Sequence, residues 1–269
     1  MKRNRVRRLG QHFLKNPRVL KKILDNISPK KDDLIIEIGA GKGVLTFSIA
    51  ERAGKVIAVE KDKSLLPFLM EKKISNLKVL EQDILKTDFR ELIKKELDFK
   101  GQVKLVGNLP YSISSPLLFK VYKEKEMFKE CIFLLQKEVA ERLCAGPGTK
   151  KFAPISIIFQ NHFMVRLCFV VNPASFSPPP RVKSALVFLK KREQPLFYIR
   201  DEDMFRKFLS GAFLHRRKTL FNNLVIKGYS NSLLRKAFRN LELQKYIRAE
   251  QLPISMFVHL YDFLLENME

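Results

Sequence analysis

The chain is poor in cysteine, in histidine and in acid. Its three cysteines, Cys131, Cys144 and Cys168, are odd in number and far apart. They spell out neither a disulfide framework nor a zinc pattern, so a reducing cytosol is expected. His12, His162, His215 and His259 are just as scattered, and no metal site is expected. No apolar run approaches the roughly 20 residues that span a bilayer. The basic N-terminus lacks the apolar stretch of a secretory signal. Met1 to Arg8 is Arg-rich and free of acid, as a mitochondrial presequence would be, but it is short and runs straight into a motif taken up below. There is no internal repeat and no low-complexity tract.

The shortage of acid has its counterpart in base. Lys and Arg number 51 against 28 Asp and Glu, a net charge of +23 with a pI near 10.0. From Met1 to Lys31 eleven bases meet a single acid, Asp25, and a second basic cluster is His215-Arg216-Arg217-Lys218. Solvated surface charge of the thermophile kind raises Lys and Glu together. Here Glu does not keep pace, which favours a polyanionic partner and steeply salt-dependent binding to nucleic acid. With 269 residues, 46% hydrophobic and 29% charged, the chain is otherwise an ordinary soluble globular protein with room for one large domain or two.

Short apolar runs alternate with helical patterns through the first two-thirds. Strands are expected at Leu34–Ile38, Val56–Glu60, Lys78–Leu80, Val103–Asn108 and Cys131–Gln136. Helices are expected near Val44–Arg52, Lys63–Lys73, Phe89–Glu96, Pro116–Lys123 and Glu138–Leu143. The alternation implies an α/β fold with a doubly wound, mostly parallel sheet. Ile155–Phe169 and Val182–Leu189 read as an antiparallel pair at its edge. Beyond the polar linker Lys190–Pro195 only amphipathic helical segments follow: Asp201–His215, Lys218–Lys227, Ser230–Leu241 and Gln251–Leu265. The domains expected are thus residues 1–194 and a small all-α domain over 195–269.

Glu37-Ile38-Gly39-Ala40-Gly41-Lys42-Gly43 follows the first strand and opens a helix. Its third glycine comes two residues after the second, not three, which departs from the dinucleotide fingerprint and favours a nucleoside without pyrophosphate over a nicotinamide cofactor. Glu60 ends the next strand, where a carboxylate can accept both hydroxyls of a ribose. Asp83 follows the third strand, where it can accept from an adenine amine while Ile84 packs on the ring. Strand-end acids also cap helices, yet three such features at successive strand ends point to S-adenosylmethionine.

Asn108-Leu109-Pro110-Tyr111 closes the fourth strand. These residues would serve an ordinary turn. They also suit a base held by its exocyclic amine, whose lone pair is delocalised into the ring. The Asn108 carbonyl and a neighbouring main-chain carbonyl, aimed by the restriction that Pro110 places on Leu109, can accept the two amine protons and free that lone pair. Tyr111 offers a face for stacking.

These blocks closely resemble the small-subunit ribosomal RNA adenine dimethyltransferases, the KsgA type. The resemblance rests on Leu9-Gly10-Gln11-His12-Phe13-Leu14, the glycine loop, Gly107–Tyr111 with Ile113-Ser114-Ser115-Pro116, and Gln136–Ala140. It extends to Phe176–Ala185 and Ala212–Leu220, in the family's order. It implies a Rossmann-like class I methyltransferase fold and the transfer of four methyl groups from S-adenosylmethionine. Two would go to each of a pair of adjacent adenosines in the loop of the 3′-terminal hairpin of small-subunit rRNA, within an assembling subunit. It further implies that His12, Leu14, Gly39, Gly41, Glu60, Asp83, Ile84 and Asn108 hold the cofactor. Asn108, Leu109, Pro110 and Tyr111 would act at the amine, and Phe176 would sit opposite Tyr111 across the base. Arg181, Arg216, Arg217 and Lys218 would touch RNA. A cytoplasmic monomer with no membrane partner is expected. Departures are few: many members carry Asn where His12 stands, Arg181 replaces Lys, and Pro154 alters a loop. Without the resemblance Phe176 reads as a core aromatic. Three rival functions remain: a large-subunit rRNA methyltransferase of the macrolide-resistance type, an RNA-binding assembly factor not dependent on catalysis, and, more weakly, a DNA adenine methyltransferase.

Overall fold

A computed structural model describes residues 11–96, 99 and 101–267. The basic run Met1–Arg8 and the first two residues of the Leu9–Leu14 motif lie outside the described residues. The strands are β1 (Phe13–Leu14), β2 (Asp33–Ile38), β3 (Lys55–Glu60), β4 (Leu77–Glu81), β5 (Gln102–Asn108), β6 (Glu130–Gln136), β7 (Phe163–Val171), β8 (Phe176–Ser177) and β9 (Ser184–Lys191). The chain divides into two compact units, Met1–Ala140 with Met164–Lys191 and Glu141–Phe163 with Arg192–Glu269.

In the first unit, seven strands form a sheet in the order β4-β3-β2-β5-β6-β9-β7. The pairings β4-β3, β3-β2, β2-β5 and β5-β6 are parallel, and β6-β9 is antiparallel. Every residue of β2 is buried. A parallel strand covered on both faces needs a continuous apolar run, and Leu34-Ile35-Ile36 supplies one. The strand order reverses between β2 and β5, and open α/β sheets bind ligands at the carboxyl ends of strands at such a switch point. The sheet is α/β and doubly wound with an antiparallel edge, as the sequence implies.

A lysine sits inside this apolar layer. Lys104 on β5 is 4% exposed, and its Nζ lies 2.9 Å from Asp33 Oδ2 and 3.4 Å from Glu130 Oε2. It also donates to the carbonyls of Ile27 and Ser28, both at 3.1 Å. A buried ammonium is tolerated only when its donors are matched in this way. The network ties β2, β5 and β6 to the end of the helix Pro17–Ile27.

In the second unit the helices Glu202–Ala212, Leu220–Ile226, Asn231–Asn240 and Ile254–Glu266 bury Phe205, Phe208, Leu224, Leu234, Phe257 and Tyr261 in one core. Asp201, Thr219 and Ser230 cap the first three, each accepting a main-chain N–H three residues on. Two expectations change here. Ile155–Phe169 is not a strand throughout: Pro154–His162 is a helix, and β7 begins only at Phe163. The β-branched residues 155, 157 and 158 suggest a strand, but Pro154 at the first helical position starts a helix whose Ile157 enters the helical core. Residues 141–163 therefore pack with the C-terminal helices, where the sequence pattern keeps them in residues 1–194. Asn161 fixes the link: its Nδ2 donates to the Phe197 carbonyl at 3.0 Å and its Oδ1 accepts the Phe197 N–H at 2.9 Å.

Candidate active site

The loop after β2 turns on Gly39, Gly41 and Gly43, with φ of +69°, +61° and +82°. L side chains rarely adopt these values. Space is short as well: a Cβ at Gly43 would lie 2.6 Å from the Phe47 ring, and one at Gly41 would meet the Phe13 ring at a tight 3.3 Å. Glu60, at the end of β3, holds the loop. Its Oε2 accepts the Gly41 N–H at 2.9 Å, and its Oε1 accepts the N–H groups of Lys61 and Asp62, both at 2.8 Å. Both lone pairs of Oε1 are thus taken, and Oε2 keeps one for a ligand.

Glu37, on β2 beneath this loop, is a site residue to which the glycine motif by itself assigns no role. It is 2% exposed. Burial pushes its carboxyl up to about 7; the Thr46 hydroxyl pulls the other way, and the charge of Glu60 adds to the rise. Its Oε2 has no hydrogen-bond partner among the described residues. An acid flanked by Ile36 and Ile38 in a buried strand is the signal that could have found it.

At the end of β5, the Asn108 Nδ2 donates to the main-chain carbonyl of His12 at 2.7 Å. A carbonyl cannot donate, so the amide nitrogen must face His12 and the Asn108 Oδ1 is turned away from it. The Leu109 N–H donates to the Leu134 carbonyl at 3.2 Å, anchoring the turn to β6. Pro110 has φ −55° and ψ 129°. The half-buried Tyr111 shares a 2.6 Å hydrogen bond between its hydroxyl and that of Ser184, and burial raises its phenol above the ordinary range. His12 stands 5.5 Å from the Tyr111 ring, with its Nδ1 2.8 Å from the Pro178 carbonyl. Nδ1 must therefore carry the proton.

One cavity gathers most of the expected residues. Its walls include His12 and Leu14 from the N-terminal segment, Gly39 and Gly41 from the loop, Glu60 from β3, Asn108 from the end of β5, and Leu109, Pro110 and Tyr111 from the turn that follows it. Glu37 lines it too. Three expected residues lie outside that lining. The Asp83 Oδ2 accepts from Lys61 Nζ at 2.8 Å and its Oδ1 from the Leu85 N–H at 3.1 Å. The lysine hydrogen bond is foremost in holding this carboxyl below the usual range. Ile84 is buried at 5% exposure. Phe176 is 1% exposed: it pairs with Leu14 across the antiparallel β1-β8 ladder and belongs to the buried cluster that also holds Ile132, Leu134 and Leu186. It packs as the core aromatic that its apolar setting suggests, so the ring is not presented to solvent.

Arg181 is exposed in the first unit. In the second, Arg216, Arg217 and Lys218 are exposed on the loop between two helices. The loop is shaped by Asn223, 1% exposed, whose Nδ2 donates to the carbonyls of Ala212 and His215 and whose Oδ1 accepts the His215 N–H. Arg216 donates to the main-chain carbonyl of Lys150. Among the described residues, no group of His, Cys, Asp and Glu could hold a metal ion, and no helix is long and apolar enough to cross a membrane.

The chain is similar to known proteins over almost its whole length. The chain is 39% identical over 263 residues to the ribosomal RNA small subunit methyltransferase A of Streptococcus thermophilus, covering 96% of this chain and 91% of that one. It is 39% identical over 258 residues to the protein of the same name from Clostridium acetobutylicum, covering 95% and 92%. Among solved structures, a dimethyladenosine transferase from Plasmodium falciparum superposes with a TM-score of 0.79 at 28% identity, covering 96% of this chain and 99% of that one. The 23S rRNA methyltransferase ErmE superposes at 0.71 with 21% identity over 94% of this chain and 99% of that one, which speaks for the fold alone. The model of the ribosomal RNA adenine dimethylases matches residues 2–266, and the chain belongs to that family.

Proposed function

We propose that this protein is the small-subunit enzyme of its family. It dimethylates N6 of two adjacent adenosines in the loop of the 3′-terminal hairpin of small-subunit rRNA, in an assembling subunit, with S-adenosylmethionine as donor. The names and the near-complete coverage of the relatives support this reading. The single observation that carries the chemistry is the orientation of Asn108, whose nitrogen is tied to His12 so that its carbonyl oxygen is left to accept.

The donor set of the cavity fits the cofactor. Three glycines with positive φ keep side chains out of the loop. Glu60 Oε2 offers an acceptor at the strand end suited to a ribose hydroxyl, and Glu37 Oε2 is a buried acceptor without a donor among the described residues, suited to an ammonium. His12, Leu14, Gly39, Gly41, Glu60, Asp83, Ile84 and Asn108 would hold the group. When bound, it supplies an activated methyl carbon on a sulfonium. Asn108 Oδ1 and a main-chain carbonyl of the Leu109-Pro110 turn accept the amine protons of the target adenine. They bias the nitrogen toward tetrahedral geometry and free its lone pair. Such preorganised acceptors need no reorientation during the reaction. Tyr111, fixed by Ser184, supplies a stacking face. Alignment rather than strong base catalysis is what the step demands, since the alkylated nitrogen becomes acidic. Arg181, Arg216, Arg217 and Lys218 bind RNA phosphates, and the protein works in the cytoplasm as a monomer.

Primer extension on both ribosomal RNAs, after incubation with undermethylated subunits, tests the choice of substrate. Stops at two adjacent adenosines near the 3′ end of the small-subunit RNA are expected. Stops in the large-subunit RNA alone would transfer the assignment to the macrolide-resistance type.

A further inference from the structure

Lys61 follows Glu60 directly and touches both strand-end acids. Its main-chain N–H donates to Glu60 Oε1 at 2.8 Å, and its Nζ donates to Asp83 Oδ2 at 2.8 Å. β3 and β4 are adjacent and parallel, with Glu60 opposite Glu81, so Asp83 lies two residues past the end of that register. The other Asp83 oxygen accepts from the Leu85 N–H at 3.1 Å. One oxygen is thus set by the local turn and the other by a residue of the neighbouring strand end, which leaves the carboxylate a single orientation.

An ionised carboxylate only accepts hydrogen bonds. It takes the exocyclic amine of an adenine and repels a ring carbonyl in the same place. We propose that Lys61 is a positioning residue for the methyl donor: by fixing Asp83 as an oriented acceptor, it makes the nucleoside end of the site selective for a base that carries an amine. The proposal rests on the reading of Asp83 as the acceptor for the donor's adenine. The Lys61 side chain is 63% exposed, and an exposed ion pair contributes little to folding, so Lys61 can be replaced without loss of the fold. Burial does not require this pair, because Asp83 keeps 23% of its side chain exposed.

The test is calorimetric titration of the full-length protein with S-adenosylhomocysteine, which carries no transferable methyl, and with its deaminated counterpart S-inosylhomocysteine. Lys61→Met is expected to weaken S-adenosylhomocysteine binding about two- to fivefold, the range an exposed charged pair supplies. S-Inosylhomocysteine binding should change less, so that the preference between the two narrows. Lys61→Arg should restore most of the preference. An unchanged preference in Lys61→Met, beside weakened binding in Asp83→Ala, overturns the proposal and leaves the reading of Asp83 intact. If Asp83→Ala itself binds S-adenosylhomocysteine as the parent does, the reading of Asp83 and the proposal fall together.

Discussion

The Asn108 carboxamide donates to the main-chain carbonyl of His12 at 2.7 Å, so the residue proposed to present the adenine amine is aimed by the backbone of a segment almost a hundred positions earlier. The His12 side chain points its Nδ1 elsewhere, to Pro178.

His12→Asn is therefore expected to keep Asn108 oriented. Its methyl-transfer rate should stay within about tenfold of the parent, the loss of one side-chain hydrogen bond being worth about 1 kcal/mol. Steady-state rates at saturating donor check this. A loss as deep as that of Asn108→Ala would show that the imidazole, not the carbonyl, sets the geometry.

Glu37 makes stability depend on pH with a definite sign. Its folded carboxyl titrates at about 7, above the ordinary 4.5. The unfolded chain therefore gives up this proton first, and the folded state loses stability as pH rises between those values. Glu37→Gln should become more stable relative to the parent by about 2–3 kcal/mol on going from roughly pH 5 to pH 8. Urea denaturation at the two pH values measures this; a gap that stays constant would mean that Glu37 does not titrate in that interval.

Lys104→Ala strands Asp33 and Glu130 beside it and should cost about 3–5 kcal/mol, as does the loss of one partner of a buried pair. Lys104→Met with Asp33→Asn should recover part of that cost. Denaturant midpoints followed by circular dichroism decide the matter.

Charge reversal at Arg216 and Arg217 should weaken RNA affinity and lower the slope of its salt dependence by about one for each phosphate that is no longer neutralised. Filter binding across a salt series gives that slope. Unchanged slopes would reduce the loop to solvated charge.

What is legible in the sequence is what local pattern encodes. Leu34–Ile38 and Val56–Glu60 announce buried parallel strands because their apolar runs have no solvent face, and Gly39, Gly41 and Gly43 announce a turn that only glycine makes easily. The residues proposed to act at the amine, Asn108 to Tyr111, are contiguous, so the proposal can be framed from the sequence directly. The helix Pro154–His162 is not legible because its isoleucines favour a strand and only its tertiary partners decide otherwise. The hydrogen bonds of Asn161 to Phe197, Lys61 to Asp83 and Tyr111 to Ser184 join residues far apart in the chain. No local propensity predicts such pairs. The burial of Phe176 depends in the same way on the distant pairing of β1 with β8.

Asn108→Ala is the most direct test, read as methyl incorporation into undermethylated small subunits alongside affinity for the same particles. Incorporation should fall roughly 10²–10³-fold or more, as when one preorganised polar group is removed from an active site, while affinity stays within about twofold. Incorporation that persists, or affinity that collapses with it, would contradict a carbonyl at the mouth of β5 as the group that presents the adenine amine.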